Sequence, residues 1–494
     1  MAVTDCCGAG STRRQALLWG SLLAAAPLAV ESSARADSTG LVVRDVEVVT
    51  VTDTSVVITW FSGSSSAVDA YGQPLPVQTD TLLLLGDVDP STGFPLPSTL
   101  KPVLHDATPT AYHYAEVTGL EPGRAYSFAA LSNGVVASQT TLQFPVGVGG
   151  SQDIPSTFTT LVTPPGTYLF TLALSNDLHV GETASGIIAA GWPPFFQQDP
   201  GLPPYPEVML GAMLGDLHAA DRGAQALIVA GDLTGDGLPT ESARARQLLD
   251  GWGTLNADYF VARGNHDRPR VGADYAGCTV VPGATDHHDC WGDAFGLRRQ
   301  ELAVHELGGL RIVALDTTTL DAAGGTMEDG QLDDLAHELR KNRDQPTLLF
   351  GHHPVTYESA VTTPAGPGFD IDRPSAVALQ RLYEKMPGVF FHHSGHTHRN
   401  KRTFFVDDSQ TPNEHVEFLE VGAVKEYPGG YTLLRVYSGG YMVSFYKTRT
   451  PLAQAWSHRT RGEYFGLYPH STLGTIADRN HAVVRDLSGL VKLR

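Results

Sequence analysis

Cysteine is scarce in this chain, basic residues are outnumbered, and no apolar run is long. Four cysteines in 494 residues exclude a disulfide-framed miniature fold. Cys6 and Cys7 stand at the extreme N-terminus, so Cys278 and Cys290 are the only pair for the rest. Lys and Arg number 34 against 53 Asp and Glu, a formal charge of −19. An acidic surface of that size repels a polyphosphate backbone, so no nucleic-acid partner is expected. A small anion drawn in by local positive charge is still allowed. The alanine-rich stretch from Leu17 to Val30 covers about 14 residues, short of the roughly 20 that a membrane helix needs. No stable membrane span is therefore expected in the mature chain.

What is present begins with an export pattern. Arg13-Arg14 precedes the apolar stretch, and Ala34-Arg35-Ala36 offers a small-x-small cleavage site before Asp37. Residues 1–36 read as a signal peptide. The paired arginines resemble the twin-arginine signal, with Ala16 in place of the bulky apolar residue often found there. The expected location is outside the cytoplasm: periplasm, envelope or medium. In an oxidising compartment a Cys278–Cys290 disulfide is the simplest account of the remaining pair, with two buried free thiols as the alternative.

The length calls for two or three domains. Residues 40–145 alternate apolar and polar side chains between Gly and Pro turns, as in Ser55-Val56-Val57-Ile58-Thr59-Trp60-Phe61, which predicts an all-β sandwich. Leu120-x-Pro122-Gly123-x-x-Tyr126, with Trp60 upstream, resembles fibronectin type III domains, in which the tyrosine ties a corner between strands. Residues 146–166 are rich in Gly, Ser, Thr and Pro and read as a linker. From 167 to 449, short apolar runs alternate with helical patterns, which implies an α/β core. Three late runs, Glu417 to Val421, Tyr431 to Val436 and Tyr441 to Tyr446, read as antiparallel strands closing a second sheet. Residues 450–494 show no clear period and are expected to pack on the catalytic domain.

Chemistry concentrates behind the apolar runs. Asp177-Leu178-His179, Gly231-Asp232, Gly264-Asn265-His266-Asp267, Gly351-His352-His353-Pro354 and Gly395-His396-Thr397-His398 each follow a candidate strand. In α/β sheets functional groups collect beyond the carboxyl ends of strands. Imidazole and hard oxygen donors recurring there suit divalent ions. One carboxylate can span two neighbouring ions, whereas an imidazole serves only one.

These five motifs, in this order, resemble the calcineurin-like metallophosphoesterase superfamily over about Tyr168 to Tyr446. The resemblance implies a two-sheet metallophosphoesterase sandwich flanked by helices, following the all-β fibronectin III-like sandwich. It implies two divalent or mixed-valence metal ions, Mn, Fe or Zn. Asp177, His179, Asp232 and His398 would hold one; Asp232, Asn265, His352 and His396 would hold the other. A metal-bridging hydroxide would attack a small phosphoester substrate, a monoester or a diester. His266 would contact the phosphate or protonate the leaving alcohol, and Asp267 would orient His266 or a metal-bound water. Purple acid phosphatases of this superfamily place a tyrosine three residues after the bridging aspartate; here that residue is Gly235, so no iron-tyrosinate colour is expected.

Other polar groups read more plainly. His353 is expected beside the ligands and not among them, and His392-His393 beneath the site. Arg268 and Arg270 could contact substrate or form surface ion pairs. His287-His288-Asp289 reads as a solvated loop, with a site for an extra ion as the alternative. The competing functional reading is an envelope-associated binding protein whose metal centre is structural or silent. Bound metal together with turnover of generic phosphoesters separates the two.

Overall fold

The computed structural model describes residues 40–138, 156–186, 196–404, 415–463 and 471–493. The export signal expected in residues 1–36 lies outside them, as does the first half of the expected linker.

The N-terminal region is all-β. Ser55–Val68 pairs on one side with Leu41–Val51 and on the other with Tyr112–Thr118. A facing sheet runs in the order Lys101–Thr110, Thr79–Asp87, Ala125–Ser132, Val135–Val136. Alternation along the strands puts Val56, Ile58, Trp60, Leu83, Leu85, Ala115 and Phe128 into one core between the sheets. Trp60 donates its indole N–H to Ser132 Oγ at 2.9 Å and stacks on His113. The Tyr126 hydroxyl accepts the Glu121 backbone N–H at 2.9 Å, tying the corner the sequence pointed to. Thr157–Thr159, inside the segment read as linker, adds a strand beside Ala125–Ser132.

Two six-stranded sheets and a short hairpin, Thr279–Val281 with Ala284–Asp289, are the other sheets of the described residues. The first runs Tyr259–Ala262, Ala226–Ala230, Tyr168–Ser175, Gly430–Tyr437, Gly440–Lys447, Asn480–Val484. The second runs Ala303–Leu307, Leu310–Ala314, Thr347–Phe350, Val389–Ser394, Glu417–Glu420, Lys401–Thr403. Each has a parallel heart. Leu172, Leu174, Ile228 and Phe260 of the first meet Ile312, Leu348, Phe350 and Phe390 of the second in a shared core. Helices Asp329–Lys341 and Arg373–Tyr383 cover the outer face of the second sheet through Leu335, Leu339, Leu379 and Leu382, against Val313, Leu349 and Val389. Tyr205–His218 and Pro239–Asp250 flank the first sheet through Met209, Met213, Ala245 and Leu249. No helix among the described residues is long and apolar enough to cross a membrane.

The late strands depart from expectation. Glu417–Glu420 joins the second sheet parallel to Val389–Ser394, while Gly430–Tyr437 and Gly440–Lys447 complete the first. All three runs are almost wholly buried, and a strand covered on both faces carries no alternation from which to read its partner. Residues 450–494 likewise do more than pack: after the helix Pro451–Thr460, Asn480–Val484 becomes the edge strand of the first sheet.

The all-β region is fused to this body. Val49 and Val57 belong to the same buried cluster as the first sheet. Buried Glu47 accepts from Lys447, Arg461 and Tyr427, and Asp45 pairs with Arg461 and His458. Arg222 holds Glu116 with both terminal nitrogens at 2.9 and 2.8 Å. These charges are compensated across the junction, which is what allows them to be buried.

Candidate metal centre

The two parallel hearts present their strand ends to one place. Tyr168–Ser175 leads to Asp177 and His179, Ala226–Ala230 to Asp232, and Tyr259–Ala262 to Asn265 and His266. From the second sheet Thr347–Phe350 leads to His352, and Val389–Ser394 to His396 and His398. Every expected ligand therefore sits just past a strand. The turns are tight enough that Asp177, His179, Asp232, His396 and His398 all hold left-handed backbone, with φ between 48° and 69°. Non-glycine residues adopt this conformation at a cost of order 1 kcal/mol each or more, and such strain gathers at functional sites. Gly264 passes so close to Asp232 that any side chain there would strike it.

The side chains converge. Asp177, His179 and His398 can each place one donor atom within 4.8 Å of the others; so can Asp232, His352 and His396, and so can His179, Asp232 and His266. His179 Nε2 stands 3.9 Å from Asp177 Oδ1 and 3.4 Å from Asp232 Oδ2. His398 Nε2 is 3.3 Å from Asp177 Oδ1. Asp232 Oδ2 lies between the two groups, 3.4 Å from His179 Nε2 and 3.1 Å from His352 Nε2.

Around His352 the donor–acceptor count fails to balance. His352 Nδ1–H donates to Ala230 O at 2.8 Å, which points Nε2 inward. Three acceptors crowd that nitrogen: Asn265 Oδ1 at 3.0 Å, Asp232 Oδ2 at 3.1 Å and His396 Nδ1 at 3.1 Å. The last is a lone pair, because His396 donates its other nitrogen to Phe369 O at 2.7 Å. One proton on His352 can serve one of them well; a cation among the four serves all. Asp177 Oδ1 and His179 Nε2 also lie buried without a hydrogen bond. Donor types, burial and unmet lone pairs all fit divalent cations.

Electrostatics agree. Burial and Lys425 push the pKa of His179 down, but Glu182, Asp177 and Asp232 outweigh them and drive it to about 10. Burial opposes the same shift at His398, where Asp177 and Glu426 carry it to about 10. A field that holds an extra proton on two imidazoles attracts a metal ion, which must displace that proton to bind.

His266 comes close to His179, ring centroids 4.5 Å apart. Its Nδ1–H donates to Gly235 O at 2.5 Å, which turns Nε2 toward the ligands. Burial lowers its pKa to about 4 despite the pull of Asp232. The neutral ring thus presents a lone pair, and donation requires a second proton that an arriving phosphate anion would favour.

The Asp267 carboxylate accepts the N–H groups of Leu233, Thr234 and Gly264 and the Thr234 hydroxyl, at 2.7–3.0 Å. It braces the turn that carries Asp232. The physical reason is local, since four converging donors saturate both oxygens. Burial, followed by the charge of Asp232, raises its pKa to about 6.

The remaining expectations resolve by contact. His353 is spent on Thr317 and Ala323 O, His392 on Tyr383 and His393 on Ser175 O. Arg268 and Arg270 brace the ligand loop through Asn265 O and His266 O. His287-His288-Asp289 is a hairpin strand and not a solvated loop. Its Asp289 forms a buried pair with Arg263, reinforced by the Cys278–Cys290 disulfide at the next residue. Sequence reasoning missed Glu182, Lys425, Glu426 and Phe369. Phe369 stacks on His396 with centroids 3.7 Å apart. None follows a strand within a ligand motif, so spacing gave no signal for them.

Residues 170–400 match the family model of the calcineurin-like phosphoesterases. A probable cyclic nucleotide phosphodiesterase of Synechococcus sp. is 29% identical over 163 residues, 32% of this chain and 54% of the relative. Another, of Rhodococcus erythropolis, is 30% identical over 146 residues, 29% of this chain and 44% of the relative. The chain thus spans about half the length of the curated relatives it matches. Among solved structures, the purple acid phosphatase PPD1 from yellow lupin (Lupinus luteus) seeds aligns over 80% of this chain and 70% of its own, at 15% identity and a TM-score of 0.39. Over residues 170–400 the chain is thus similar to the calcineurin-like phosphoesterases.

Proposed function

We propose that this chain is an exported, dinuclear metal-dependent hydrolase of small phosphate esters. Asp177, His179, Asp232 and His398 hold one cation, and Asp232, Asn265, His352 and His396 the second, with Asp232 shared. The observation that carries this reading is the ring of acceptors around His352 Nε2, which a cation satisfies and a proton does not. When bound, the ions would supply positive charge to a phosphate and would lower the pKa of a bound water. The chain's own residues fix the geometry: Ala230 O and Phe369 O orient two imidazoles, and Asp267 holds the Asp232 turn. His266 Nε2 lies where it can meet a phosphate oxygen or, once protonated, the leaving alcohol.

The ligand set suits Mn, Fe or Zn. Gly235 leaves the iron-binding tyrosine position of purple acid phosphatases empty of a phenol. Two curated relatives named as probable cyclic nucleotide phosphodiesterases make a cyclic phosphodiester the first substrate to try. Export rests on residues 1–36 and on the Cys278–Cys290 bond, which suits an oxidising compartment. The N-terminal sandwich, with its Trp60 core and Tyr126 corner, fits a fibronectin III-like domain.

The deciding experiment measures bound metal in the mature protein, then hydrolysis of p-nitrophenyl phosphate, bis-p-nitrophenyl phosphate and 3′,5′-cyclic AMP. Two equivalents of metal with turnover of one ester class supports the proposal. Metal-replete protein inert toward all three would favour the binding-protein reading.

A further inference from the structure

The two halves of the centre are supported in different ways. His352 and His396 are held from behind by main-chain carbonyls, Ala230 O and Phe369 O. His398 Nδ1–H instead donates to the carboxylate of Glu426 at 2.6 Å, and His179 Nδ1 stands 3.3 Å from Glu182 Oε2. Lys425 joins these two carboxylates. Its ammonium lies 3.0 and 2.8 Å from the oxygens of Glu182 and 3.1 Å from Glu426 Oε2. Ser185 Oγ donates to the same Glu426 oxygen. Lys425 and Glu426 are 4% and 1% exposed, far too buried for a surface ion pair. A charged triad costs much to desolvate, so its arms must be fixed by what they touch. Here they touch two imidazoles of one ion site.

We propose that Glu426, locked by Lys425 and backed by Glu182, is a positioning residue for the His179/His398 ion. It fixes the orientation and proton position of His398 and makes that ion, and not its neighbour, depend on a carboxylate one layer out. A carboxylate behind a metal-bound imidazole strengthens its donation and sets which nitrogen faces the ion, and losing one weakens metal binding by about 10- to 100-fold. A carbonyl behind the imidazole lacks the charge. The two ions should therefore respond differently to one substitution. This inference rests on the proposed two-ion centre.

The test titrates metal-stripped full chain with Mn²⁺ by calorimetry and by electron paramagnetic resonance, for the wild type, Glu426→Gln and Lys425→Met. Glu426→Gln keeps the side chain's size and removes its charge. Expected are two binding events in the wild type, with one weakened about 10- to 100-fold in Glu426→Gln and the other unchanged. At two equivalents the variant should then show the six-line signal of isolated Mn²⁺ where the wild type shows the coupled pair. Lys425→Met should weaken the same event by a smaller factor, and a Glu426→Asp variant should recover part of the loss. Wild-type affinities at both events in Glu426→Gln, or equal weakening of both, would overturn the proposal. A wild type that takes up no ion would overturn the two-ion reading and this inference together. Should Glu426→Gln fail to fold, Lys425→Met and Glu426→Asp decide by the same pattern.

Discussion

His352 Nε2 and His396 Nδ1 face each other at 3.1 Å, each ring tethered by its opposite nitrogen to a carbonyl from a different part of the chain. Anchors about 140 residues apart, Ala230 and Phe369, turn these two ring nitrogens toward each other. They predict that each is needed for one ion. His396→Ala should leave one equivalent of Mn²⁺ bound and lower phosphoester turnover by roughly a thousandfold, the scale lost with a major electrostatic group. Metal analysis beside kinetics checks this, and an unchanged stoichiometry of two would count against the assignment.

Asp232 should matter more than any single imidazole. It stands within 3.4 Å of both His179 and His352 and accepts the His266 backbone N–H at 2.8 Å. Asp232→Ala is expected to lose both ions' cooperation and raise the barrier by about 4 kcal/mol or more. Near-normal turnover in that variant would contradict a shared ligand.

For His266 the expected loss is selective. His266→Ala should keep two ions bound yet slow hydrolysis most for substrates with poor leaving alcohols, because only those need a proton at departure. A series of aryl and alkyl phosphates measures the dependence. Equal losses across the series would argue for phosphate contact without proton donation.

Asp267→Asn should act through stability. Replacing one carboxylate oxygen by an amide sets a donor against the backbone N–H groups that now point at it, at a cost of roughly 3 kcal/mol. Differential scanning calorimetry of metal-stripped protein should show melting lowered by several degrees. A variant that melts like the wild type while losing turnover would restore a role in the reaction itself.

His113 gives a pH signature away from the centre. It is buried between Trp60 and the hydroxyls of Ser62, Thr79, Thr81 and Ser132. Burial lowers its pKa from 6.5 to about 4, although Asp80 pulls the other way. As pH falls below 6.5 the unfolded chain takes up this proton first, so the stability from the neutral ring is complete above 6.5 and lost toward pH 4. The slope is about 1.4 kcal/mol per pH unit. Urea unfolding of wild type and His113→Gln between pH 4.5 and 7 isolates it. Parallel curves for the two proteins would refute the assignment.

Much of this was legible before any fold was known. The convergence of Asp177, His179, Asp232, Asn265, His352, His396 and His398 was legible because a group past a strand end keeps a fixed local spacing, and local spacing is what a sequence records. The support layer is not local. Glu426 reaches His398 from 28 residues on and Glu182 meets Lys425 across 243, so neither appears as a motif. Asp267 adjoins His266 in sequence, yet its oxygens turn back to residues 233 and 234, a contact that spacing does not record. The late strands misled for a related reason: a fully covered strand looks the same in either sheet.

The charged seam between the N-terminal sandwich and the first sheet carries a consequence for how this chain can be dissected. Glu47, Asp45 and Glu116 pair with Lys447, Arg461 and Arg222 across this seam. Arg479 also donates to the main chain of Val48 and Val49. A chain trimmed to the hydrolase half would uncover that basic strip beside a bare apolar edge. The sandwich is accordingly less an appendage than a missing wall of the house, and expression of the enzyme should require both.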